Sequence, residues 1–476
     1  MLKNLPLYIA IVLAILAACT PGEEEFTFES DATLRFSTDT LFFDTVFTQS
    51  ANEIRNITKR FRVYNDNDNA LRINEISLEG GSNSSYTIYV NGRPGVEFND
   101  TRILGNDSML ILVEVNIDPQ DESEPFIVED RVNFISNGNR QHVQLVSWGQ
   151  DAVFFRDRIL DCNTTWTAGK PYVIFDAVLV DSVCTLTIEP GTRVFSHNQS
   201  FIFVRGSIRV NGTAENKVLF TNDRFDERFA NAPGQWGGII FLPGSNDNVI
   251  NHAEIRNAEV GIYLGTPDDD TEPDLIVSNT RIENIGGNTV LPVVGNLVQP
   301  GFGIIAITSD LYAYNTLINN CAVNALGNYA GGNYRYEHCT FANFSFDFFR
   351  EDPAVVLSDN LVLANNSLLV SDLTVEMKNT IVWGNLREEL LISNSGETSV
   401  TLDLTSNLFR ADTTIGFENN IFNEDPRFFD PRDQVYQLDT LSPAKDIGLD
   451  LGIRFDLEGK ERDTAPDLGA FERIEN

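Results

Sequence analysis

Basic residues are scarce in this chain, and so are histidine and cysteine. Lys and Arg number 34 against 69 Asp and Glu in 476 residues, a formal net charge of −35, so the chain's own field opposes nucleic acid and bare anionic lipid surfaces. No nucleic-acid partner is expected. Four His leave little material for histidine-based catalysis or a His-rich zinc centre. The five Cys follow neither zinc nor Cys-x-x-Cys spacing. Beyond the N-terminus no apolar run approaches the ~18 residues of a membrane-spanning helix, and sustained helical periodicity is missing from the repeat region described below. Against these absences, 42% hydrophobic and 22% charged residues are a globular composition with material for a large core. The length suits two or three ordinary domains, or a small domain joined to a repeat structure that needs no single round core.

The N-terminus carries an address. Lys3 precedes an apolar run from Leu5 to Ala18, the layout of a secretory signal. Leu16-Ala17-Ala18-Cys19 resembles the lipobox of bacterial lipoproteins. That resemblance implies removal of residues 1–18, acylation of the Cys19 thiol and attachment to a membrane through the lipid. Residues 19–25 then form a tether with Pro21-Gly22 and the acidic run Glu23-Glu24-Glu25. The run is similar to a surface-export signal of lipoproteins in some diderm bacteria. The resemblance implies an outer-membrane lipoprotein of a diderm cell envelope, surface exposed or facing the periplasm. In such an oxidising compartment Cys162 and Cys184, which flank one hairpin-like stretch, are a candidate disulfide. Cys321 and Cys339 read as small buried apolar residues.

From residue 26 to 150 short alternating runs are separated by Asn, Asp and Gly. Lys59 to Tyr64, Ile73 to Leu78, Leu110 to Val115 and Val143 to Val146 are examples. Period-two alternation indicates strands with one buried face, and about seven strands in ~120 residues make a β-sandwich. The cues Val63-Tyr64-Asn65, Leu71-Arg72-Ile73 and Tyr86-Thr87-Ile88 resemble immunoglobulin-like domains of the ASPM, SPD-2 and hydin class, which implies a spacer without chemistry.

After Asp151 an internal repeat takes over. The template is Asn or His, two residues, an apolar residue, one residue, Asn. It fits His252/Ile255/Asn257, Asn279/Ile282/Asn284, Asn315/Ile318/Asn320, His338/Phe341/Asn343 and Asn360/Leu363/Asn365, and Asn379/Val382 continues it. Composition alone would give roughly one chance match. First-position spacings of 27, 36, 23, 22 and 19, built from short β runs, suit a solenoid of β coils whose inward residues form one long core. An Asn or His at the same place in each circuit stacks as a ladder, so His252, Asn279, Asn315, His338, Asn360 and Asn379 are read as structural.

Three further segments make the resemblance specific. They are Thr185-Leu186-Thr187-Ile188-Glu189-Pro190-Gly191-Thr192, Gly206 to Thr213 with Val218 to Thr221, and Gln235-Trp236-Gly237-Gly238-Ile239. These resemble successive first coils of right-handed parallel β-helix proteins. Asp425-Pro426-Arg427-Phe428, Leu441 to Gly448 and Asp467 to Glu472 resemble the terminal cap of the choice-of-anchor Q pattern. The expected fold is all-β: residues 26–150 an immunoglobulin-like sandwich, 151–420 a right-handed parallel β-helix and 421–476 its C-terminal cap.

Fold alone does not give function. The motifs of polygalacturonases, pectate lyases, serine hydrolases and P-loop enzymes are absent from the sequence, and no catalytic residue is assigned. Asp268, Asp269, Asp270 and Glu272 form an acidic loop that is the candidate calcium site, the one cofactor considered. Tyr329 and Tyr334 flank Ala330-Gly331-Gly332, an expected exposed turn, and with Arg350 and Asp352 they are the candidate glycan contacts. The expected role is a lipid-anchored envelope protein whose β-helix binds an extended polysaccharide or an envelope protein in adhesion. The alternative is a polysaccharide lyase or glycoside hydrolase.

Overall fold

The computed structural model describes residues 25–48, 57–226, 229–287, 291–293, 296–298, 300–346, 349–363, 365–411 and 419–473. The leader 1–18, Cys19 and the tether through Glu24 lie outside the described residues. The chain divides into two compact units, residues 1–151 and 152–476. Among the described residues the helical turns are the short Gly81–Asn83 and Pro431–Asp433, and no helix is long and apolar enough to cross a membrane.

In the first unit a six-stranded sheet runs in the order Phe26–Thr27, Ala70–Leu78, Phe126–Ser136, Asn139–Gln150, Thr40–Phe47, with Glu97–Ile103 also paired to Ala70–Leu78. A five-stranded sheet runs Arg35–Phe36, Ile57–Asn65, Asp107–Val115, Tyr86–Val90, Arg93–Gly95. Alternation decides the inner faces: in Asp107–Val115 every second residue from Met109 is buried. Phe43, Phe61, Ile73, Tyr86, Ile111, Val113 and Phe134 from both sheets form a single apolar cluster. The Tyr86 hydroxyl donates to the Val128 carbonyl at 2.9 Å, which satisfies the one polar atom such a ring brings into a core.

In the second unit 25 strands follow one another in a continuous parallel path, a parallel β-helix of three faces. Each strand pairs with the strand one circuit later. On the first face Phe201–Val204 pairs with Gly238–Phe241, and that with Ile262–Leu264. On the second, Leu275–Ser278 pairs with the latter half of Ile304–Tyr314 and on through Leu326–Glu337 to Leu373–Lys378 and Val400–Thr405. On the third, Val194, Phe220, Ile255, Ile282, Ile318, Phe341, Val382, Phe409 and Phe422 hold one inward register over successive circuits. That column contains the apolar position of the sequence template. The Asn360 match is the exception: Asn360–Val362 pairs back on Leu368–Val370 as an antiparallel hairpin, inserted between the first and second faces. Asn360 is therefore not a ladder residue. Its side chain bonds Asp359 and Ser393 instead.

The other template positions are corners. His252, Asn279, Asn315, His338 and Asn379 have φ between 44° and 50°, and Asn257, Asn284 and Asn320 between 49° and 62°. Asn is the residue that enters this left-handed region at least cost after Gly. Two amide ladders result. Asn279 Nδ2 donates to Asn251 Oδ1 at 2.9 Å, Asn315 Nδ2 to Asn279 Oδ1 at 3.0 Å, and Asn379 Nδ2 lies 2.9 Å from His338 Nε2. Across the strand, Asn257 reaches Asn222, Asn284 reaches Asn257, and Asn320 reaches Asn284 at 2.7 to 3.3 Å. The link below Asn279 is thus Asn251, and His252, although at the corner, has no bond to Asn279 in the first ladder.

The C-terminal segment lies along the third face. Arg462 and the Phe455 carbonyl bond the Asn315 side chain, Leu449 bonds Asn379 through both backbone groups, and Gln434 bonds Asn284. Leu317, Ala342, Ile381, Trp383 and Leu408, which point outward on this face, form an apolar cluster with Phe428, Tyr436, Leu457, Leu468 and Phe471 of that segment. At the opposite end a disulfide joins Cys162 and Cys184. Cys321 and Cys339 are buried, and burial pushes both thiols up, that of Cys339 to about 12.

The corner between the first and second faces uses Asp. Asp359 is buried, which by itself would raise its carboxyl. Donors from the Ser395 amide and hydroxyl, Thr398 and Asn360 overcome that and hold it at about 2.

Two predictions follow from these corners. Asn315→Ala, which removes three side-chain bonds and places Ala at positive φ, is expected to destabilise the second unit by about 2 to 4 kcal/mol, whereas Asn360→Ala stays within about 0.5 kcal/mol. Denaturant unfolding compares the two, and equal losses would contradict the assignment. Because the folded carboxyl of Asp359 lies below the ordinary value of 3.8, its stabilisation is complete above pH 4 and lost as pH falls towards 2. The stability difference between wild type and Asp359→Asn should shrink over that window in thermal unfolding.

Candidate functional site

Asp274 precedes Leu275–Ser278, and Asp310 precedes the paired Leu311 one circuit on, so both open second-face strands, whereas Asp359 stands on the other side of the same corner, directly after the first-face strand Val355–Ser358. Asp274 Oδ2 accepts the Asp310 amide at 3.0 Å and the Thr266 hydroxyl at 2.7 Å. Asp310 Oδ1 accepts the amide and side chain of Asn333 at 2.8 and 2.9 Å. Each carboxylate thus receives the backbone of the next circuit, a structural task. What sets this corner apart is the inserted loop between Thr266 and Asp274. There Asp268 Oδ1 accepts the Asp270 amide and Asp270 Oδ1 accepts the Glu272 amide. These two successive turns present alternate residues to one side, and the carboxylates of Asp268, Asp270 and Asp310 come within 4.8 Å of one another.

The acidic group therefore differs from the one read in sequence. Asp269 and Glu272 are not in it. Asp310, 42 positions beyond Asp268 along the chain, is, because stacking of coils brings it there. Asp274 is also buried, and burial first, then the charges of Asp268 and Asp310, push its carboxyl up to about 7. Asp310 is raised by burial and by Asp268 and Asp270. The contrast with Asp359 follows from donors: several hydrogen bonds compensate one carboxylate there, while here four carboxylates share few. Asp268, Asp270 and Asp310 are the residues that could hold a hard cation, their donors being all oxygen.

The three faces differ outside as well. On the first face Ile240, Tyr263, Ile305 and Ile307 are covered by Phe302, Val260 and Ala330 with Val323, Tyr329 and Leu361 packed on them. The third is covered by the C-terminal segment. The second carries a polar and aromatic surface. One outward row is Arg209, Val249, Ile276, Tyr312, Arg335, Glu376 and Asp403, and beside it run Asn211, Asn251, Ser278, Tyr314, Glu337, Lys378 and Thr405. Tyr312 and Tyr314 are half-buried with ring centroids 5.2 Å apart. The Arg335 guanidinium lies 4.8 Å from the Tyr312 ring centroid and bonds Glu337.

The glycan contacts read from sequence are not assembled. Tyr334 is 2% exposed and turns inward, its hydroxyl donating to the Gly331 carbonyl. Inward and outward alternate along this strand, so Arg335 takes the surface position. Arg350 is buried in a fork on Glu389, with both guanidinium nitrogens at 2.7 and 2.8 Å. Tyr329 is half-buried in the first-face cluster and donates to Asn324. Asp352 is exposed, but its partners in that set are withdrawn. Tyr312 and Tyr314 lie in the same tyrosine-rich region as Tyr329, Tyr334 and Tyr336. Their period-two spacing was visible, yet only the register shows which pair faces out.

A sequence model described as a pectate-lyase-like β-helix domain matches residues 158–290. No curated protein matches the chain. Among solved structures, a family 123 glycoside hydrolase from Clostridium perfringens is 7% identical, covering 27% of this chain and 30% of that one, with a TM-score of 0.18. The VesB protease of Vibrio cholerae is 10% identical, covering 24% and 31%, with a TM-score of 0.16. The ASH / PapD-like domain 7 of human CEP192 is 7% identical, covering 28% of this chain and 94% of that domain, with a TM-score of 0.17. The chain spans about a third of the length of the first two, and at these scores none of the three carries an argument. The family match and the 25-strand parallel path agree on a parallel β-helix.

Proposed function

We propose that the protein is a lipid-anchored component of a diderm cell envelope whose β-helix binds an extended polysaccharide on its second face. The supporting observation is the register of that face, where Tyr312, Tyr314 and Arg335 stand outward on adjacent circuits. Parallel strands repeat every ~4.8 Å, so the face offers side chains at a regular spacing along its length to a chain of repeating units. Aromatic rings take the apolar faces of sugars, and the neighbouring Arg, Glu and Lys side chains take their hydroxyls. In this reading the immunoglobulin-like first unit is a spacer, the acyl groups on Cys19 hold the protein to the outer membrane, and the C-terminal segment is a cap of the choice-of-anchor Q kind. Calcium is the cation for Asp268, Asp270 and Asp310, stiffening the loop at the edge of the binding face.

A second reading, a polysaccharide lyase or glycoside hydrolase, is favoured by the family match over residues 158–290 together with the carboxyl of Asp274 near neutrality, a value at which a group can give or take a proton.

Native affinity electrophoresis of the full chain in detergent, through gels containing host, plant and bacterial polysaccharides, tests binding. Retardation by one polymer is expected, and Tyr312→Ala with Tyr314→Ala should reduce the affinity about tenfold. Unchanged retardation in that double variant would overturn the assignment of the face, and cleavage of the retarding polymer would favour the second reading. Chelator should lower the melting temperature of wild type but not of Asp310→Asn if calcium binds. Cys19→Ala should move the protein from the membrane to the soluble fraction, and retention in the membrane would refute the anchor.

A further inference from the structure

A different surface gathers positive charge in this strongly acidic chain. On the third face Val382 pairs with Phe409 and Phe409 with Phe422, so the next residue of each strand, Trp383, Arg410 and Asn423, shares one outward register. Facing this row is the start of the C-terminal segment, fixed by Phe428, which is buried against Phe344 and Tyr436. Between them lies a cavity of about 750 Å³, and three of its nine lining residues are Arg387, Arg410 and Arg427. Among the described residues Asp425 is the single acid in the lining, and its Oδ1 accepts from the Arg427 amide. Trp383, Phe344 and Phe428 supply aromatic wall.

Two of the guanidinium groups are little used by the protein. Arg410 donates from one nitrogen to the Gly384 carbonyl and lies 5.1 Å from the Trp383 ring centroid. Arg427 is exposed and makes no ion pair among the described residues. Like charges converging on a cavity repel one another, and in a chain with 69 acids against 34 bases carboxylate partners are plentiful, yet this lining holds one. A planar fork beside an aromatic wall is suited to an oxyanion carried on a ring. A second cavity of about 210 Å³ shares Phe344 and Pro431 with the first and adds Arg432, whose guanidinium lies 5.4 Å from the Phe346 ring centroid.

We propose that this cavity is a binding site for an anionic sugar unit, with its carboxylate or sulfate held by Arg410 and Arg427 and its ring beside the half-buried Phe344. The site is separate from the second face and stands or falls apart from it.

The test is calorimetric titration of the full chain in detergent with three probes: trigalacturonate, a sulfated dextran oligosaccharide and a neutral dextran oligosaccharide. Binding of an anionic probe, weakened by salt, is expected, with none of the neutral one. Trigalacturonate and the sulfated probe separate the carboxylate from the sulfate. Arg427→Gln and Arg410→Gln should each weaken binding about tenfold and flatten the salt dependence, while Arg140→Gln, exposed in the first unit, leaves it unchanged. Arg427 is exposed and outside the packing, so its variant keeps the fold, and an unaltered melting temperature verifies this. Failure of both anionic probes to bind, equal binding of the neutral probe, or wild-type affinity in Arg427→Gln would each overturn the proposal. Loss of binding in the Tyr312→Ala, Tyr314→Ala double variant equal to that in Arg427→Gln would overturn it too, since the contact would then lie on the second face.

Discussion

Everything in the second unit depends on how a parallel strand turns a corner. Parallel ladders need each circuit to return in register, and a corner exposes backbone groups that the ladder cannot pair. The chain solves this with left-handed Asn or His on either side of the third-face strand and with Asp between the first and second faces. Except at His252, the corner side chain bonds the circuit above or below, so the corner residues are held by the same stacking that they make possible. The inward column from Val194 to Phe422 is continuous because those corners keep every strand in step.

That economy governs where chemistry can sit. A corner already fixed by its neighbours can accept an insertion without disturbing the core, and the acidic loop between Thr266 and Asp274 and the hairpin beginning at Asn360 are both inserted there. The faces are then differentiated from outside. One is sealed by apolar side chains, one by the C-terminal segment, and one is left polar. The segment that seals the third face also forms a wall of the arginine-lined cavity, so covering the sheet and shaping a recess are one structural act.

The fold was legible because its causes are local and repeated. Alternation such as that of Leu110 to Val115 declares a half-buried strand, and five of the six template matches lie at true corners because αL geometry selects Asn and His. Asn360 satisfied the same pattern by chance inside a hairpin, and only strand pairing could tell the difference. The candidate sites were much less legible. Asp310 joins Asp268 through stacking of circuits separated by an insertion, which no spacing in the sequence encodes. Tyr334 and Arg350 had suitable side chains, but one points into the core and the other is spent on Glu389. Arg410 gave no signal and Arg427 only that of the cap motif, since arginines on separate segments become a group only when the C-terminal segment folds back.

The Cys162–Cys184 bond gives the solenoid a mechanical property. A pull on the chain that enters at residue 152 first peels Val153–Ile159 from its neighbour, and the load then passes through the sulfurs to Cys184. Residues 163–183, including the whole strand Tyr172–Val180, carry no tension. The first circuit therefore cannot be unzipped from that end. Beyond Val153–Ile159, rupture continues at Thr185–Ile188, where two pairings share the load, so the bond acts as a stopper.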